Sequence, residues 1–498
     1  MLYRKLHTLT FPTSHLRSTR EETPSPPVEI SDLPNEALAI IFRFTYDSCE
    51  KSSPLRHPLN PRSPPNVFRN VSKLWRGVAE SERVLWRRFE VEHTFEGEDE
   101  LPAWFTEQDN RKMDLVQARK IFKRWMRLAI YVQEEAGGKP DFRNTIDFTL
   151  KTSSCGYNTP VENVIIDVLG NRSQHWRHVE LFLSLDTLSR LRGIRGRLSN
   201  LETLIVHIHA PPLEEGEELE IDLKWPYDLF EFAPRLKTFE TGGIWVPEVI
   251  WGGLGMHAPW DRIQKVTVRE HEDPFLIHAI LKATASSVRS IGICPTVAPS
   301  DCLSGFRTEP LAMLRLPKVH SLVYHAAPMP KDIGALSYNR WQVLRLLEMP
   351  KLSVLRISDG SGNNSCKAAL EMAERSQARV KALGLEGPGT GLEWVKDAMQ
   401  LIDHLNDSLE VLKVGPFRDT DVTLTVVREL TSRMSDSGER FSKLRQVFFS
   451  AADVCVNVEE SRMTGDQKLL REGMAEWERV ARERFPWREV QRPAQVSR

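Results

Sequence analysis

Nine segments of this 498-residue chain share one template, apolar-x-x-apolar-x-apolar, and begin at Leu201, Leu236, Ile263, Val288, Val319, Leu352, Val380, Leu409 and Leu444. Trp176 to Leu183 reads as an earlier strand. Counted from Val179 within it, they fill nine intervals across 265 residues, a mean near 29. The last two apolar positions alternate as in a half-buried strand, and only the Leu236 copy departs, with Thr241 in its final place. Thr145 to Leu150 alternates in the same way. Helical spacing recurs between the strands at 161–169, 274–282, 366–375, 392–405 and 421–434. Leu392, Val395, Met399 and Ile402 form the clearest stripe. A strand–helix unit of this size has one uncovered apolar face, and only neighbours in a stack can cover it. The spacing therefore predicts an α/β fold with a parallel sheet on one side and helices on the other.

A different pattern precedes the repeats. Ile30-Ser31-Asp32-Leu33-Pro34-Asn35-Glu36 reads as a helix start, with Ser31 or Asp32 as the cap and Pro34 early in the first turn. In the helix that follows, Leu38, Ile41, Phe42 and Thr45 share a face. Ala37, Ile40 and Phe44 widen it to an arc of roughly 200°, about twice what an ordinary surface helix needs. After a polar, proline-rich gap, Val67, Val71, Leu74, Trp75 and Val78 predict a second helix with one buried face, and Val84-Leu85-Trp86 closes the unit.

Leu33-Pro34-x-Glu36, the apolar run to Phe42, Val71-x-x-x-Trp75-Arg76 and the final Leu85-Trp86 resemble an F-box. Two departures stand: Ser72 occupies a place where cysteine is common, and the Glu50–Pro65 insertion is long. The strand–helix units resemble the irregular leucine-rich repeats of F-box proteins over roughly 142–451. The asparagine of the strict consensus is mostly missing, and Gly360 stands there in the Leu352 copy. The resemblance implies a curved repeat solenoid behind a helical F-box; a plain α/β domain is the alternative. It also implies a substrate receptor of an SCF-type ubiquitin ligase, reaching the cullin–RING enzyme through a Skp-type adaptor. A protein-interaction scaffold outside any ligase is the second reading.

The expected organisation is a tail over 1–27, an F-box over 28–91, a linker with a helix over 92–141, the repeats over 142–463 and a capping helix with its tail over 464–498. The linker helix spans Arg111 to Glu135, with Val116, Phe122, Trp125 or Met126 and Ala129 on one side. The capping helix carries Leu470, Met474, Trp477, Ala481 and Phe485. Arg4, Lys5, Arg17 and Arg20, with no acid before Glu21, have transit-peptide composition, but a disordered tail is the reading here.

The 67 basic and 68 acidic residues leave a formal charge of −1, which provides no field toward nucleic acid or an anionic membrane. The six cysteines are scattered, with no Cys-x-x-Cys, which argues for a reducing compartment, cytoplasmic or nuclear. No apolar run has membrane-spanning length. Cofactor and metal are both expected to be absent. The glycine-rich stretch before Lys367 lacks the Gly-Lys-Ser/Thr of a phosphate loop, and His207-x-His209 has no further ligand at metal spacing. No nucleophile, zinc or kinase signature points to an enzyme.

Two sets of residues carry the functional expectation. Leu33, Pro34, Leu38, Ile41, Val71 and Trp75 face or support an adaptor. Strand alternation then points Ile205, His207, Arg269, Val323, His325, Arg356, Lys413 and Phe448 away from the core, toward a protein substrate. Their cations suit an acidic or phosphorylated peptide, while Glu240 and Glu386 oppose it. Ile205, Val323 and Phe448 are the apolar anchors.

Overall fold

The computed structural model describes residues 33–49, 58–60, 62–82, 84–92, 115–130, 145–151, 160–209, 228–242, 258–269, 274–295, 311–326, 342–359, 365–386, 392–415, 420–436, 441 and 443–449. The N-terminal tail, the capping helix, the acidic run at 214–218 and the glycine-rich stretches at 360–364 and 387–391 lie outside them.

Among the described residues fourteen strands run in chain order: β1 (Arg88–Glu92), β2 (Ile146–Lys151), β3 (Trp176–Ser184), β4 (Thr203–His209), β5 (Thr238–Gly242), β6 (Lys265–Arg269), β7 (Ser290–Cys294), β8 (Leu314–Arg315), β9 (Ser321–Ala326), β10 (Leu347–Glu348), β11 (Val354–Asp359), β12 (Ala382–Glu386), β13 (Val411–Val414) and β14 (Gln446–Phe449). Twelve of them form one sheet whose spatial order is the chain order, while β8 and β10 pair separately. Every pairing along the large sheet is parallel. All nine template segments are strands of this sheet. Where the side chains are described, their alternating apolar positions, among them Leu204 with Val206 and Leu355 with Ile357, are buried. Thr241 is buried in the same place.

The turns into the strands are satisfied by the backbone. The residue after each leading apolar position donates its N–H to the carbonyl of the equivalent residue one unit earlier. The series runs Arg177, Glu202, Lys237, Gln264, Arg289, His320, Ser353, Lys381, Glu410 and Arg445, with bonds of 2.7–3.0 Å. An unbroken main-chain ladder thus satisfies the entry to these strands, and such a ladder is indifferent to side-chain identity.

Helices fill the intervals. Ahead of the repeats lie α1 (Asn35–Asp47), α2 (Pro64–Val71), α3 (Lys73–Ser81), α4 (Val84–Arg87) and α5 (Leu115–Ile130). Among the strands lie α6 (Pro160–Gly170), α7 (Leu185–Arg190), α8 (Pro274–Thr284), α9 (Gln342–Arg345), α10 (Ser365–Ser376), α11 (Leu392–Leu405) and α12 (Thr420–Asp436). Consecutive helices from α8 to α12 pack on one another. Buried Ala368, Ala369 and Ala373 of α10 and Ala398 of α11 hold those two axes close.

The N-terminal unit differs from expectation in three ways. Helix α1 starts at Asn35, so Pro34 is its boundary residue rather than part of the first turn. The expected single helix over 66–79 is two. Ser72 is extended, with φ −156° and ψ 172°, and its Oγ accepts the Trp75 N–H at 3.1 Å. A side chain that caps a new helix competes with continuing the old one, and here the cap wins. Because the break resets the helical phase, Val67, Val71 and Leu74 are exposed instead of buried, and Phe68 takes the core position.

The unit also contributes a strand to the sheet. Phe89 and Val91 alternate into the core as part of β1, which pairs with β2 from Arg88–Asp147 to Glu92–Lys151. Aromatic contacts continue the core across this edge. Phe42 stacks on Phe68 at 4.0 Å, Trp86 meets Trp125 of α5 at 4.7 Å, and Phe89 stacks on Phe148 at 5.6 Å, which meets Trp176 at 5.1 Å. The Trp125 indole N–H donates to the Trp86 carbonyl at 3.0 Å, and the Tyr46 hydroxyl donates to the Arg88 carbonyl. On α5, Ala118, Phe122, Trp125, Met126 and Ala129 are buried, whereas Val116 is exposed.

Candidate functional site

Two surfaces gather the residues singled out above. The first is the bare side of the N-terminal helices. At 100° per residue Leu38, Phe42 and Tyr46 form one narrow stripe on α1, and this stripe is what the chain itself buries. Ile40 and Phe44 lie roughly opposite and are 64% and 76% exposed, and Ile41, at the flank of the stripe, is 38% exposed. Exposed Val67 and Val71 on α2 and Leu74 on α3 add to the apolar residues this unit leaves uncovered. The surplus width of the predicted arc is therefore real, and it marks the part of α1 that its own core does not need.

The expected adaptor residues divide accordingly. Ile41, Val71 and Pro34 are exposed. Trp75 is half-buried, with its ring 5.0 Å from that of Phe42, and Leu33 packs against the core edge, so both support the surface from below. Leu38 is fully buried and cannot meet a partner. The period that puts it on the face of Phe42 also puts it inside. Ile40, Phe44, Val67 and Leu74 were not in the expected set. The signal for the first two lay in the arc itself.

The second surface is the face of the sheet opposite the buried apolar positions. Strand register aligns its side chains into rows. One row runs Glu90, Thr149, Glu180, Ile205, Glu240, Thr267, Gly292, Val323, Arg356, Gly384, Lys413 and Phe448. Two residues further along each strand lie Lys151, Phe182, His207 and Gly242, then Arg269 level with Cys294, then His325, Ser358 and Glu386. All eight expected substrate residues thus fall on this face by register. They are not equally available. Arg269, His325 and Arg356 are exposed, Lys413 is half-buried, and the side chain of Phe448 lies outside the described residues.

Three expectations need correction. His207 is buried on this face, its ring stacked on Phe182 at 4.4 Å and lying over Gly242, where a Cβ would overlap it. Ile205 and Val323 are half-buried, since side chains of adjacent strands lean across them. The cations are also not free. Arg269 pairs with Glu240 at 2.5 Å, and Glu386 receives the Arg356 Nε–H at 3.0 Å and the Lys413 ammonium at 2.8 Å. Burial pushes the Glu386 carboxyl up, and the hydrogen bonds from Lys413 and Arg356 outweigh it, so the group stays below its ordinary value. Gly384 makes this geometry feasible: the Arg356 Cγ would stand 3.2 Å from a Cβ there, so its stem lies flat across the glycine toward Glu386.

Among the described residues no cluster of three His, Cys, Asp or Glu side chains could hold a metal, and no helix is long and apolar enough to cross a membrane. Compared with known proteins, the chain matches no family model and none of the curated proteins.

Proposed function

We propose that this chain is the substrate receptor of an SCF-type ubiquitin ligase. The N-terminal helices act as an F-box that docks on a Skp-type adaptor, and the strand–helix units act as irregular leucine-rich repeats that hold a protein for ubiquitylation. One observation carries the reading: the helix that follows Leu33-Pro34 keeps Ile40 and Phe44 bare, and Ile41 partly so, while its opposite stripe makes its own core. An exposed apolar patch of this kind marks an interaction site, and covering each large side chain contributes roughly 1.5–3 kcal/mol. The receptor needs no chemistry of its own. Holding a target lysine near the charged conjugating enzyme makes the transfer effectively intramolecular.

A second reading, a repeat scaffold whose N-terminal helices only cap the sheet, draws on the β1–β2 pairing and the Phe89–Phe148 stack. Capping accounts for Trp86, Phe89 and Trp125. It gives no role to the bare side of α1.

Co-expression with a Skp-type adaptor separates the two. Ile40→Asp with Phe44→Asp is expected to abolish co-purification while leaving circular dichroism and the thermal midpoint of the chain unchanged. Full retention of adaptor binding by that variant refutes the ligase reading.

A further inference from the structure

The ion pairs of the second sheet face share one polarity. The acid lies low and the base stands over it: Asp147 with Arg88, Glu90 with Lys151, Glu240 with Arg269, and Glu386 with Arg356 and Lys413. The Glu386 side chain is 9% exposed, against 49% and 44% for Arg356 and Lys413. A partner approaching this face meets cations.

At most of these pairs the charge closes. Arg269 and Lys151 each answer one acid. Asp147 holds Arg88 and Arg177, but Arg177 also feels Glu202. Among the described residues it does not close at Glu386: two cations against one carboxylate leave one positive charge over. Donors are left over too. Among the described residues Arg356 reaches the Glu386 Oε2 through Nε and one Nη of its five N–H donors, and Lys413, with three donors, meets the Oε1 as an ion pair at 2.8 Å. Gly384, between them on β12, raises no side chain into the gap.

We infer that Arg356 and Lys413 anchor a single carboxylate, the side chain of an Asp or Glu on an extended segment of the bound protein. This rests on reading the second face as the substrate surface. The charge count selects the ligand. One carboxylate brings the cluster to neutrality, whereas a phosphate, with a charge of about −1.5 to −2, overshoots beside the low-lying Glu386 carboxylate. Half-buried Val323, in register with Arg356, flanks the anchor with an apolar contact.

The test titrates the full chain into labelled peptides alternating Glu, Gln or phosphoserine with Ala, read by fluorescence anisotropy. The Glu peptide is expected to bind best, with the Gln peptide about tenfold weaker, the cost of one charge-assisted bond. Lys413→Met and Arg356→Met each weaken the Glu peptide by a similar factor. Glu386→Gln, which removes the competing negative charge and leaves one acceptor oxygen at that place, tightens it several-fold. A merely structural ion pair predicts that Glu386→Gln weakens binding like Lys413→Met, and that result overturns the inference. So does equal binding of the Glu and Gln peptides, tighter binding of the phosphoserine peptide, or no binding of the Glu peptide. Adaptor co-purification reads α1, a separate surface, so a failure there is distinguishable from a failure here.

Discussion

Glu386 shows how far a residue's meaning depends on its neighbours. In the sequence it is an acid that opposes the expectation of an anion-binding face; in the fold it is the buried partner that pairs with two cations. Its folded carboxyl lies below its ordinary value, so the folded state binds fewer protons than the unfolded chain. The stabilisation is full above the unfolded carboxylate range, about pH 4.3, and is lost as pH falls through the folded value. Urea midpoints of the parent and Glu386→Gln should therefore differ at about pH 7 and converge as the pH falls below the ordinary carboxylate range. A difference that persists unchanged in acid would remove the ion pair from the account. His207 makes the same point sterically. Alternation alone placed it on the second face, but its burial needs Phe182 and Gly242, supplied by the two flanking strands.

At the scale of elements, strands were more legible than helices. A strand's alternation is complete within a few residues, so Phe89 and Val91 still mark β1 once the pattern is sought there. A helical stripe has to be continuous to be read. The stripe Val67, Val71, Leu74 runs through Ser72, where the chain stops one helix and caps the next, so these residues never share a buried face. Ser72→Ala is expected to cost about 1 kcal/mol of stability in chemical denaturation, and Ser72→Asp to recover most of it by replacing the cap. If Ser72→Ala leaves the midpoint unchanged, the cap does not hold the break. Cysteine at this place, as the F-box resemblance leads one to expect, lacks the strong hydroxyl acceptor that the Trp75 N–H finds here.

On the scale of the whole molecule, the consequence is continuity. Because β1 pairs with β2 and the Trp86–Trp125 and Phe89–Phe148 contacts cross the edge, the N-terminal helices close the first edge of the parallel sheet. Deleting the chain through Glu92 should uncover Phe148 and the unpaired backbone of β2, and the truncated protein is expected to aggregate rather than remain a soluble repeat array. A soluble, cooperatively unfolding truncation would show instead that the sheet stands without its helical edge.

The chain's own pattern determined the repeated strand–helix unit, its period and the residues that face inward. Each of these is a local periodicity, written within a few residues and enforced by the cost of exposing apolar surface. It also announced, through the excess width of one helix's apolar arc, that α1 had more to bury than a single neighbour needs. Which half of that arc stays bare, which strand closes the sheet, and which cations on the second face are already answered were decided only by the tertiary structure. They depend on residues some thirty or more positions apart meeting across strand register: Glu386 with Arg356, Arg88 with Asp147, Phe89 with Phe148. No local period encodes such meetings, because they are set by how neighbouring units stack and not by how any one of them folds.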